Sequence, residues 1–173
     1  MEEKSASVFV IDTSALTQAV RSYYAHDICP GFWDCLAYHV QEGRIVIVDK
    51  VKKEIVDGTG PPQDWLRDDI DRTHIASTKE ESVAILYGQL INWVQGNPQF
   101  MEAAKAEFAS VADGWVIAYA KSEGLAVVSQ ETYAAEIRKR VPIPNVCRQF
   151  DIPHYDLFQL LRTLGARFDW TTP

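Results

Sequence analysis

Short apolar runs alternate along this chain with longer stretches in which apolar residues return at helical spacing. Val8 to Ile11 is an unbroken apolar, β-branched and aromatic run, the mark of a strand buried on both faces of a parallel sheet. Phe32, Leu36 and Val40 then recur on one helical face and predict a helix that stops near Gly43. Arg44 to Asp49 (RIVIVD) reads as a second strand, and Lys50 to Val56 as the start of the next helix. The turn-rich stretch Asp57 to Trp65 (DGTGPPQDW) predicts an exposed loop. Ser77 to Phe108 reads as helices broken around Gly96 to Pro98, Val111 to Ser122 as a helix ended by Gly124, and Leu125 to Ser129 as a third strand. Ile143 to Gly165 predicts a short helix, a short strand near His154 and Tyr155, and a closing helix. Such alternation belongs to an α/β domain with a mainly parallel central sheet.

Composition changes this picture little. The 173 residues suit one domain spanning the whole chain, and 47% hydrophobic with 24% charged residues is ordinary for a globular protein. No apolar run reaches the ~20 residues of a membrane span. The N-terminal MEEKSAS is acidic and polar and lacks the basic-then-apolar pattern of a secretory signal. Cys29, Cys35 and Cys147 are too few and odd in number for a disulfide framework, so a cytoplasmic location is expected. A formal charge of −7 disfavours a broad, sequence-independent grip on nucleic acid but leaves room for a local basic rim.

The informative chemistry is acidic. Asp12 follows the first strand at once, where a carboxylate is costly unless something pairs with it. Glu54 lies on the helix after strand two, Asp113 opens the helix ADGWVIAYA, and Glu131 lies two residues beyond AVVS. Open parallel sheets bind ligands at the carboxyl ends of their strands, so the four acids are expected around one pocket. Four carboxylates there repel and raise one another's pKa unless a cation sits between them, and Mg²⁺ or Mn²⁺ suits oxygen ligands. Each acid also has a plainer role: Asp12 or Asp113 as a helix cap, Glu54 as a solvated residue paired with Lys50, Glu131 as an exposed loop acid.

The pattern also resembles a known family. VFVIDTSAL, VDKVKKEI, ADGWVIAYA and AVVSQE are similar to stretches of the PIN-domain ribonucleases. FWDCLAYHVQEGRIVIVDKVKKEI and IPNVCRQFDIPHYDLFQLLRTLGARF look like the PIN-like branch called DUF4411, a likeness running from Val8 to Phe168. The resemblance implies a three-layer α/β/α fold and one or two divalent metals held by acids that cut single-stranded RNA. It makes Asp12 the central metal ligand, Glu54 and Asp113 further ligands, and Ser14 a hydroxyl that bonds the acid cluster or a water on the ion. Glu131 stands where most of the family carries aspartate; its extra methylene reaches ~1.5 Å further, so contact through water is the alternative to direct ligation. The reaction implied is phosphodiester hydrolysis by in-line attack of water, with charge on the phosphate stabilised by metal. The resemblance also implies a toxin restrained by an antitoxin protein, and a homodimer. The rival is a non-catalytic RNA-binding or scaffold protein of the same fold.

Other constellations fit less well. A haloacid-dehalogenase-like phosphatase needs an aspartate where Ser14 stands, and a receiver domain needs an acid pair that VIDTS lacks. His26, Cys29, Cys35 and His39 form a zinc-like string, but its central spacing is short and holds Pro30 and Gly31. Arg138, Lys139 and Arg140 in EIRKRV, with Arg148, form the best basic cluster. It is either a solvated helix face or a rim that holds RNA phosphates, with Tyr133 near enough to stack on a base. Trp93, Phe100, Phe108 and Trp115 are expected in the core.

Overall fold

The computed structural model describes residues 8–58 and 60–172, so MEEKSAS and Thr59 lie outside the described residues. Among the described residues five strands form one sheet: β1 (Phe9–Ile11), β2 (Ile45–Val48), β3 (Ile75–Ala76), β4 (Ala126–Val128) and β5 (His154–Tyr155). The order is β3-β2-β1-β4-β5, and every neighbouring pair is parallel. Phe9 lies opposite Ile45 on one side and Ala126 on the other. All of β1 and β4 is buried, which requires helices on both faces of the sheet.

The helices are α1 (Thr13–Gln18), α2 (Pro30–Gln41), α3 (Asp49–Asp57), α4 (Pro61–Asp69), α5 (Glu81–Gly96), α6 (Glu102–Ser110), α7 (Asp113–Glu123), α8 (Ile143–Gln149) and α9 (Leu157–Leu164). Helix α7 lies against β1, β4, α5 and α8, while α2 and α3 pack beside β2. Gly43 and Gly124 follow α2 and α7 with φ of +70° and +67°, the left-handed stops that their sequence positions suggest. None of the helices among the described residues is long and apolar enough to cross a membrane.

Two expectations need correction, and two elements were not foreseen. The loop expected over Asp57 to Trp65 is largely helix, because Pro61 fits the first helical position, where no N–H is needed, and Trp65 and Leu66 are buried. The two-residue strand β3, just before the stretch read as helical, carries too little pattern to be seen in sequence. Glu136 to Val141 is irregular chain, so the basic cluster is not a helix face. Helix α1, continued by a π-helical turn over Ala19–Tyr23, was also not apparent from the sequence. Of the four aromatics expected in the core, Phe100 and Phe108 are buried, and Trp93 and Trp115 are partly buried against it.

Candidate metal centre

From β1 the chain steps outward through β2 to β3, whereas β4 and β5 extend the sheet the other way. The carboxyl ends of β1 and β4 therefore flank the reversal point, where a parallel sheet leaves a crevice. Asp12 leaves β1 there, its backbone N–H donating to the Val128 carbonyl at 2.9 Å. Its side chain caps α1, with the Ser14 N–H donating to Oδ2 at 3.0 Å. The residue is 2% exposed, and its second oxygen, Oδ1, is buried without a hydrogen-bond partner. Capping thus accounts for only half of this carboxylate.

Glu54 reaches in from α3. Thr13 Oγ1 donates to its Oε2 and the Ala112 N–H to its Oε1, both at 2.6 Å. Ala112 is the cap residue of α7, so Glu54 joins the starts of α1 and α7 and is not a solvated partner of Lys50. The Lys50 ammonium lies over the Trp115 ring, 4.9 Å from its centre. Asp113 is the first residue of α7 and makes no capping bond, so it is not the N-cap that its position suggests. Glu131, far from being an exposed acid, has a side chain only 12% exposed. Its Oε2 accepts from the Ile143 N–H at 2.6 Å, and its Oε1 pairs with the Arg140 guanidinium. Ser14 links the two strand ends: besides bonding Asp12, its hydroxyl accepts from the Gln130 N–H at 3.3 Å. The Ser129 hydroxyl in turn accepts from the Glu131 N–H at 3.3 Å and lies 2.7 Å from His154 Nε2.

All four acids and Ser14 line one cavity of about 220 Å³. Thr13 and Glu107 line it too and were not assigned to it from sequence, and of the expected rim cations Arg140 is on its wall. Thr13 carried a signal, a hydroxyl directly after Asp12; Glu107 carried none, being one acid among many on an exposed helix face. Arg138, Lys139 and Arg148 do not line this cavity, and Arg148 instead lies over Tyr133.

Burial pushes the Asp113 carboxyl up to about 8, with the charges of Asp12, Glu131 and Glu54 adding to it and Arg140 opposing. Burial likewise lifts Asp12 to about 6, against the pull of the Ser14 hydrogen bonds. Among the described residues no three His, Cys, Asp or Glu side chains converge closely enough to hold a metal as they are arranged. The reason is visible in the partners: both glutamates are turned onto protein donors. That leaves Asp12 with a bare buried oxygen and Asp113 with no hydrogen bond to its carboxyl among the described residues. The open oxygen of Asp12 and the Asp113 carboxyl, once its proton is displaced, would suit Mg²⁺ or Mn²⁺. Such ions commonly take one or two protein carboxylates and complete their shell with water and substrate phosphate.

Residues 9–168 match the family model described as a domain of unknown function, DUF4411. The chain belongs to the DUF4411 family. The match covers every element of the sheet and all four acids of the cleft. No curated protein matches this DUF4411 chain. Among solved structures it is similar to the crystal structure of VapBC2 from Rickettsia felis bound to a DNA fragment from their promoter. That likeness has 10% identity and a TM-score of 0.49 over 86% of this chain and 98% of that one.

Proposed function

We propose that this DUF4411 chain is a Mg²⁺- or Mn²⁺-dependent ribonuclease of the PIN type that hydrolyses RNA phosphodiester bonds in the cytoplasm. The observation that carries this reading is the buried, partnerless oxygen of Asp12 beside Asp113 at the reversal point of the sheet. Asp12 and Asp113 would hold the ion directly, with Ser14 fixing the Asp12 rotamer. Glu54 and Glu131 add negative charge around it while locking the helix starts and the loop after β4. Bound there, a divalent ion supplies Lewis acidity at the phosphate and favours attack by water. Arg140, on the cavity wall and half free of its partner, is placed to take a non-bridging phosphate oxygen. The sequence resemblance to PIN ribonucleases extends the proposal to single-stranded RNA as substrate, and to a homodimeric toxin restrained by an antitoxin protein.

The test is incubation of purified protein with a mixed RNA pool, with Mn²⁺ or with EDTA, and mapping of the new ends. Cleavage is expected only with metal, and Asp12→Asn or Asp113→Asn should lower it at least ~100-fold. Equal cleavage by wild type and both variants would show that the activity belongs to a contaminant and that these acids do something else.

A further inference from the structure

A second cavity, of about 420 Å³, is lined by Trp93, Asn97, Gln99, Tyr133, Asn145 and Arg148 among others. Its chemistry is the opposite of the cleft's: aromatic rings, carboxamides and one cation, with no carboxylate in its wall. The Tyr133 ring is 44% exposed, and the Arg148 guanidinium lies 4.7 Å from its centre. Two carboxamides keep a free end. Gln99 donates from Nε2 to the Ala135 and Ile137 carbonyls at 3.0 and 2.8 Å, which leaves its own carbonyl oxygen as an acceptor. Asn97 accepts the Gln99 N–H on Oδ1 at 2.9 Å, which leaves its NH₂ as a donor.

The loop that joins the two cavities is irregular but braced. Asn145 holds Ala134 from both sides, accepting its N–H at 3.1 Å and donating to its carbonyl at 2.8 Å. Farther along, the Arg138 carbonyl accepts from the Met101 N–H at 2.9 Å. Glu131 in the cleft and Tyr133 in the second cavity are two residues apart, so their Cα atoms are at most ~7 Å from each other. That is within the span of one extended nucleotide. A half-exposed ring under a guanidinium, with a free acceptor and a free donor nearby, is the chemistry that takes a splayed-out base by stacking and by hydrogen bonds to its edge.

We propose that this cavity binds one unstacked nucleobase of a single-stranded RNA whose neighbouring phosphate lies in the acid cleft. The inference rests on the ribonuclease reading for the presence of RNA, and it adds where a base is held and which residues hold it. The base stacks on the Tyr133 face that Arg148 leaves open, and Asn97 and Gln99 meet its edge. A protein built this way cuts with a preference for the base in that position.

The test separates binding from cleavage. Full-length protein in EDTA is titrated with a labelled oligoribonucleotide, and with a chain of the same length that lacks bases. Wild type should favour the base-bearing strand. Tyr133→Ala should weaken that strand alone by about 5- to 150-fold, the usual worth of one base stacked on an aromatic ring. Tyr133→Phe should bind like wild type, and circular dichroism should show both variants folded. Equal loss on both strands, no loss on either, or no RNA binding by wild type each overturns the proposal. Base-dependent binding without any Mn²⁺-dependent cleavage would leave this site standing and remove the ribonuclease reading. Cleavage indifferent to Tyr133 would do the reverse.

Discussion

Glu54 and Glu131 share the cleft with Asp12 and Asp113, yet each glutamate has both oxygens held by protein donors, whereas Asp12 Oδ1 has none. The unsatisfied pair therefore governs how the metal-free protein responds to pH. Asp113 in the folded state titrates near 8, far above its ordinary 3.8. Between those values the folded chain keeps a proton that the unfolded chain has lost, so rising pH favours unfolding. Its contribution to stability is full below about pH 4, is lost progressively towards pH 8, and is level above that. Melting temperature in EDTA should accordingly fall across this window. Asp113→Asn should raise it at neutral pH and remove the Asp113 share of the decline. That leaves the share of Asp12, which ends near pH 6, against the opposite slope of His26, His39 and His154, whose burial lowers their pKa. Added Mn²⁺ must displace the proton, so its stabilising shift should grow from pH 6 to pH 8 in wild type and shrink in the variant. The same pH slope in EDTA for wild type and Asp113→Asn would mean that Asp113 is solvated and ionised. Asp12, Asp113 and Glu131 were legible because each lies just past a strand or opens a helix, and Glu54 because it lies on the helix that follows strand two. Their division was not, because the Ala112 and Ile143 N–H groups that occupy the glutamates come from chain 58 and 12 residues away.

The placement of Asp113 depends on how α7 meets α5 and α6. Tyr87 of α5 stacks on Trp115 of α7 with ring centres 3.8 Å apart, directly over Gly114. A Cβ added at Gly114 would lie 2.9 Å from Tyr87 Cε2 and 3.3 Å from Phe108 Cε1. Alanine gains about 0.5–1 kcal/mol over glycine within a helix, but overpacking a filled interface costs about 1–3 kcal/mol. The clash wins because the Tyr87 ring is held by its stack on Trp115 and by the hydrogen bond from its hydroxyl to the Ala109 carbonyl, and Phe108 is buried. Gly114→Ala should therefore lower the melting temperature by a few degrees, read by scanning fluorimetry, and weaken Mn²⁺ binding because Asp113 moves with the first turn of α7. A stabilised variant would show that the rings yield freely. Elements of this kind were legible where pattern and packing agree. The runs of β1, β2 and β4 are apolar because helices cover both faces, and α2 shows its stripe because only one side is buried. Helix α4 was hidden because glycine and proline read as turn residues. The burial of Leu66 and of Trp65, whose indole N–H donates to the Trp33 carbonyl at 3.2 Å, shows that this segment is drawn onto the core.

For the molecule as a whole, if the chain acts on RNA as proposed, its net charge of −7 requires the attraction to be confined to a small area. Arg140 lines the acid cleft and Arg148, on α8, lines the aromatic cavity, while Arg138 and Lys139 lie on the irregular loop that follows β4. Arg140 is tied to Glu131, while Arg138 and Lys139 are exposed and pair with no carboxylate among the described residues. Those two are the free cations of the rim, and they have no part in holding metal. If they contact phosphates, each releases condensed counterion on binding, and log K falls with log salt by about 0.7 for each phosphate neutralised on a single strand. The Arg138→Ala, Lys139→Ala double variant should flatten that slope by about 0.7 for each cation removed, measured by fluorescence anisotropy between about 50 and 200 mM salt. Its Mn²⁺-induced thermal shift should match wild type, since neither side chain lines the cleft. The loss should also be uniform across RNA sequences, because phosphate contacts position a strand without reading it. An unchanged slope with unchanged affinity would make the pair a solvated surface. The RNA would then have to be held by Arg140, Arg148 and the metal alone.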